Sequence, residues 1–202
     1  MNENRREEII MATLKLASQK GLGAVSMNMI AESIGIKKPS LYNHFKSKEE
    51  LVEMMYVFLK NKAQEKTHTQ MDLKCLDNKS AYEILKLMVS NYICLCMEEN
   101  MYIFYKVIYC ERAISRQSAQ IMAKETQKMI DATEQILTLL QNKKLLSFDN
   151  IHMSALSFAM TIHGLTDFVM DSNFEDANKS VQNSGLFDNY IMHFCKQNAY
   201  KE

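Results

Sequence analysis

Apolar side chains recur every three to four positions along most of the chain, the period of helices that bury one face. Over residues 4–20, Ile9, Ala12 and Leu16 share a stripe flanked by Ile10, Leu14 and Ala17. Gly21 follows, where a helix end favours a left-handed residue. Two short periods come next. Ser26 can accept an orphan amide hydrogen bond at a helix start, and Ile30, Ala31 and Ile34 continue at helical spacing. Gly35 suits a chain reversal, because glycine takes positive φ without steric cost. A second short helix is predicted from about Lys38, with Pro39 in its first turn and Leu41 and Phe45 facing inward. Ser47 and Glu50 form a capping box for a helix running to about Lys66.

Residues 67–79 lose the period and read as a loop. Ser80 and Glu83 form a second capping box, opening a helix to about Met97. Glu98-Glu99-Asn100 breaks the apolar run, and a helix rich in large side chains is predicted from Met101 to about Ala113. A long helix runs from the Ser115–Ser118 region to about Asn142, followed by Lys143 and Lys144, whose charge suits a helix C-terminus. From Ser147 or Asp149 to about Met170 the pattern is apolar nearly all round. Such a helix is buried or covered by a partner chain. Residues 171–185 are polar and read as a loop, with a short turn near Ala177. A last helix is predicted from Leu186 to about Ala199. With one proline and five glycines in 202 residues, breakers are scarce, and the fold class is all-α.

The spacing of Ala31, Gly35 and Leu41 suits a helix-turn-helix, which places its second helix in a DNA major groove. Outward positions have matching chemistry. Lys37, Lys38 and Lys48 can neutralise phosphates, and Tyr42 and His44 can hydrogen-bond them. The formal net charge is zero, but it is polarised. Residues 1–48 carry eight Lys/Arg against four Asp/Glu, and residues 49–202 carry sixteen against twenty. Phosphate attraction acts within about a Debye length, so the local excess is what counts.

Ile30-Ala31, Gly35-Ile36 and the run Leu41-Tyr42-Asn43-His44-Phe45-Lys46-Ser47-Lys48-Glu49-Glu50-Leu51 resemble the tetracycline-repressor (TetR) family over about residues 5–55. The resemblance implies a helix-turn-helix domain at 1–48 and a helical effector-binding and dimerisation domain at 49–202, joined by the 48–66 helix acting as a lever. It implies a homodimer formed through the last two long helices, a double-stranded operator as partner, and a repressor released by a small lipophilic or aromatic effector. Matched position by position, Ser26, Tyr42, His44 and Lys48 fall where the family holds phosphates. Lys37 and Lys38 reach phosphate or base, while Ser40 and Asn43 reach base edges. Asn28 departs from the pattern, since many members have Arg or Lys there, and implies one phosphate contact fewer. His163-Gly164-Leu165 resembles a run found in some members.

An effector pocket would draw on Tyr92, Cys96, Tyr105, Tyr109, Met129, Met160 and His163, each of which also fits ordinary core. Sixteen methionines supply adaptable apolar surface. No window of 18 apolar residues suggests a membrane span, and the charged first residues are unlike a signal peptide, so a cytoplasmic protein is expected. Five cysteines, at 75, 94, 96, 110 and 195, contain no CxxC pair and read as reduced thiols. No HExxH, GxSxG or phosphate-binding glycine loop points to an enzyme, and no His, Cys or carboxylate spacing points to a metal or cofactor. Two alternatives stand: a thiol sensor using Cys94, Cys96 or Cys110, and a DNA-binding module that recruits a protein partner without a small ligand.

Overall fold

Local capping sets most element boundaries. The computed structural model describes residues 2–67, 76–172 and 184–200. Among them the elements are α1 (Asn2–Lys20), α2 (Met27–Ser33), α3 (Lys38–Tyr42), α4 (Lys48–Thr67), α5 (Ala81–Met97), α6 (Glu99–Glu111), α7 (Arg116–Asn142), α8 (Ile151–Ser172) and α9 (Ser184–Gln197). Ser80 Oγ accepts the Glu83 amide at 3.3 Å while the Glu83 carboxylate accepts the Ser80 amide at 2.8 Å, closing the expected box at the start of α5. The Ser80 amide, and after it the Ser80 hydroxyl donating to the same carboxylate at 2.7 Å, hold the Glu83 carboxyl below its ordinary value.

Several boundaries differ from the expected ones. The α6 helix starts at Glu99, not Met101, because Glu98 itself caps it: its carboxylate accepts the amides of Asn100 at 3.0 Å and Met101 at 3.2 Å. The α8 helix runs on to Ser172, and α9 begins at Ser184. Most of the 67–79 loop and the turn near Ala177 lie outside the described residues. Lys144 also behaves differently from a dipole-stabilising charge. It adopts φ 56° as the left-handed residue that ends α7, with Leu145 N bonded to Leu140 O at 3.0 Å and Lys144 N to Gln141 O at 2.9 Å, the two bonds of a Schellman motif.

Two compact units divide the chain: Met1–Thr69 with Cys94–Lys124, and Gln70–Ile93 with Glu125–Glu202. In the first of them, α4 and α6 share one core with α1, α2 and α3. In that first unit Ile9, Ile30, Leu41, Phe45, Leu51, Met55, Met101, Phe104 and Ile108 are fully buried together. The second unit buries Ile84, Leu85, Leu137, Leu140, Phe158 and Ile191, with Phe158 edge-on to Phe194 at 4.7 Å. Its α8 has two apolar faces. Ala155, Phe158 and Ile162 turn into the core, whereas Met153, Met160 and Phe168 are 54 %, 45 % and 60 % exposed.

Candidate nucleic-acid interface

The α2–α3 unit is built by local signals. Ser26 is extended (φ −105°, ψ 158°), and its hydroxyl accepts the Met29 amide at 3.3 Å, which starts α2. The helix ends in a second Schellman motif. Ile36 N bonds Ala31 O at 3.0 Å and Gly35 N bonds Glu32 O at 3.2 Å. Gly35 takes φ 67°, and nothing stands within 4 Å of the Cβ position, so backbone conformation alone calls for glycine here. Pro39 lies in the first turn of α3, and Lys37 caps that helix with backbone only. Leu41 and Phe45 are completely buried and hold α3 to the core. The Arg6 guanidinium lies 4.8 Å from the Phe45 ring centre, a favourable cation–π distance.

The opposite side of α3 is left to solvent. Lys37, Lys38, Ser40, Tyr42 and Asn43 are exposed, and His44 is half-buried. Tyr42 is 43 % exposed, and the Lys38 ammonium lies 6.0 Å from its ring centre. Two cations, a phenol, a hydroxyl and an amide therefore share one short helix and its approach. That set can bind phosphate oxygens and read base edges in a groove.

Three neighbouring residues are already engaged. Ser26 spends its hydroxyl on the cap. Asn28 donates from Nδ2 to Glu32 Oε1 at 2.6 Å, which places a carboxylate where an Arg or Lys would add attraction. Lys48 donates to the Leu22 carbonyl at 2.5 Å, 26 residues away. The Ser47–Glu50 box is formed on one side only as expected: Ser47 Oγ accepts the Glu50 amide at 3.1 Å, while the Glu50 carboxylate accepts the Lys46 amide at 2.6 Å.

The candidate pocket residues divide between the two units. Cys96 is buried and Tyr105 packs against the first core, while Tyr109 is 43 % exposed, all in the first unit. Tyr92, Met129, Met160 and His163 belong to the second unit. Of these, Tyr92 and His163 meet, hydroxyl to Nδ1 at 3.0 Å, and Asp167 lies 3.8 Å from His163 Nε2. Met160 faces outward rather than inward. A groove of about 530 Å³ between α8 and α9 is lined by other residues, among them Asn150, Ser157, Thr161, Tyr190 and His193. Among the described residues no cluster of three metal-ligating side chains occurs.

A family model for bacterial regulatory proteins of the tetR family matches residues 9–55, the stretch from α1 through the start of α4. Residues 9–55 of this chain are thus similar to the DNA-binding segment of TetR-family regulators. The transcriptional repressor KstR2 of Mycolicibacterium smegmatis is 44 % identical over 50 residues, 25 % of this chain and 24 % of that protein. The class C tetracycline repressor of Escherichia coli is 34 % identical over 55 residues, 27 % of this chain and 25 % of the repressor. The chain thus spans about a quarter of the length of these relatives. The flavonoid-responsive regulator FrrA shares the fold across 99 % of this chain and 100 % of its own, with a TM-score of 0.74 and 19 % identity. The TetR-like part therefore coincides with the α2–α3 surface, and no helix among the described residues is long and apolar enough to cross a membrane.

Proposed function

We propose that this chain is a TetR-family regulator, a homodimeric repressor that binds operator DNA through α3 and is released by a small lipophilic or aromatic molecule. The observation that carries the DNA-binding reading is the exposed set Lys37, Lys38, Ser40, Tyr42 and Asn43 on a helix pinned from behind by Leu41 and Phe45. Its likeness to KstR2 and to the class C tetracycline repressor covers that segment.

The exposed apolar face of α8 supports a second copy as partner: Met153, Met160 and Phe168 recur on one side of the helix. Two-fold symmetry then presents two α3 helices about 34 Å apart, one duplex turn. Release works by population shift. A compound that binds better to a dimer with altered half-site spacing lowers the population that fits DNA. A flavonoid-responsive neighbour and a tetracycline-repressor relative, both named for ring-bearing small molecules, support this mode of control.

The test is binding to a duplex that the purified protein selects from a random pool, at two salt concentrations, with and without a panel of lipophilic compounds. Specific binding released by one compound supports the reading in full. Specific binding indifferent to all of them removes the effector and favours a protein partner or a thiol signal.

A further inference from the structure

One peptide group in the α1–α2 turn is held from both ends. The Leu22 carbonyl accepts the Lys48 ammonium, from the first turn of α4, at 2.5 Å. The Gly23 amide, the other end of that same peptide, donates to Glu111 Oε1, from the last turn of α6, at 2.9 Å, 88 residues away. The cation sits at the negative end of the peptide dipole and the anion at its positive end. Both bonds are therefore charge-assisted, the stronger class.

The two glycines around this peptide make room for the carboxylate. A Cβ on Gly23 would lie 3.3 Å from Glu111 Oε2, and one on Gly21 would lie 3.3 Å from Oε1. Gly21 also takes φ 79°, and at Gly23 a Cβ would make a tight contact to which the Glu111 carboxylate must yield by a few tenths of an ångström. The same corner has a further tie. Gln117, in the first turn of α7, donates to the Glu49 carbonyl in α4 at 2.6 Å. Ser26, three residues after Gly23, begins α2, so a rotation of the pinned peptide tilts the entry to the recognition unit.

Resting on the DNA-binding reading above, we propose that the Leu22–Gly23 peptide is the joint through which α6 sets the position of α2 and α3, with Glu111 and Lys48 as positioning residues. Lys48 then acts on DNA through the turn rather than by holding a phosphate.

The first arm of the test uses no DNA. Amide resonances of the full chain are compared for wild type, Glu111→Ala and Gly23→Ala. Both variants should speed exchange of the residue-23 amide and shift resonances throughout α2 and α3. Changes confined to residues 21–25 overturn the joint. The second arm uses the duplex selected by wild type and a scrambled duplex. Glu111→Ala should weaken the selected duplex about tenfold, the scale of one charge-assisted hydrogen bond, and leave the scrambled one unchanged. Glu111→Gln keeps an acceptor oxygen and should recover most of that loss. Equal losses on both duplexes, or no rescue by Gln, contradict a positioning role. Gly23→Ala combined with Glu111→Ala should be no worse than either alone; additive losses overturn the shared joint. Lys48→Ala should weaken binding with an unchanged salt slope, whereas a slope lower by about one unit returns Lys48 to the phosphate-binding set. If wild type selects no duplex, the DNA-binding reading fails, and the first arm alone decides whether the peptide joint exists.

Discussion

Lys66, near the end of α4, and Glu98, the cap of α6, form a 3.0 Å ion pair in which the glutamate side chain is only 6 % exposed. Burial alone would raise the Glu98 carboxyl, but the Lys66 ammonium and the amides of Met101 and Asn100 outweigh it and leave it below its ordinary value of 4.5. The folded protein therefore holds this proton more weakly than the unfolded chain. The linked stability is fully present above pH 4.5 and fades as pH falls through the lower folded value. Glu98→Ala should cost about 1–2 kcal/mol at pH 7, mainly from removal of the cap. Urea melts from pH 7 down to 3.5 should show a shallower acid loss in Glu98→Gln than in wild type. An unchanged profile would mean that the acid sensitivity lies elsewhere.

Cysteine reactivity separates a thiol sensor from plain packing. Burial pushes the Cys195 thiol up to about 11, so it stays protonated at neutral pH, and the thiolate is the reactive form. Cys94 and Cys110 are exposed and Cys96 is buried. Among the four described cysteines, peptide-resolved alkylation at pH 7.5 should label Cys94 and Cys110 before Cys96 and Cys195. Loss of DNA binding after peroxide, traced to Cys94 or Cys110, would favour the thiol-sensing alternative.

Lys144 occupies a left-handed position without being glycine. A side chain there costs about 1 kcal/mol in backbone strain. Lys144→Gly should raise stability by up to about that amount, partly offset by the freer unfolded chain, and a thermal melt reads it directly. Lys143, one residue earlier, pairs with Asp77 at 2.9 Å; removing that exposed pair should change stability by less than about 1 kcal/mol.

The α8 face is the proposed contact with a second copy. Met160→Glu and Phe168→Glu each place a charge in what would be a buried apolar interface, a placement that is costly unless paired. Sedimentation at micromolar concentration should show wild type as a dimer and the variants shifted toward monomer. A monomeric wild type would remove the two-fold arrangement and the half-site spacing with it.

Much of the recognition unit is legible in the sequence because its signals are local. Ser26, Gly35, Pro39 and Ser47 act within a few residues, as do Ser80 and Glu83, and each stands where its pattern places it. Glu98 reads as a break rather than a cap, since glutamate is not among the preferred N-cap types. Nothing within its own helix reveals the bond of Lys48 to the Leu22 carbonyl. Glu111 escapes the sequence pattern altogether: its partner Gly23 is 88 residues away, and a glycine in the α1–α2 turn reads as a turn residue rather than as room for a carboxylate. The pocket candidates rest on aromatic and methionine positions whose helical spacing fits core equally well. Periodicity does not distinguish the inward Cys96 from the outward Met160.

The most direct measurement is the dependence of DNA binding on α3 side chains, read on the duplex selected by wild type and on single-base variants of it. Lys37→Ala and Lys38→Ala should weaken all duplexes and lower the salt slope by about one unit for each phosphate no longer neutralised. Ser40→Ala and Asn43→Ala should instead change which base is preferred, at about 1–3 kcal/mol for each base edge no longer hydrogen-bonded. The contradicting result is equal loss on every sequence for all four variants, or no selected duplex at all, either of which would deny α3 its role as the element that reads DNA.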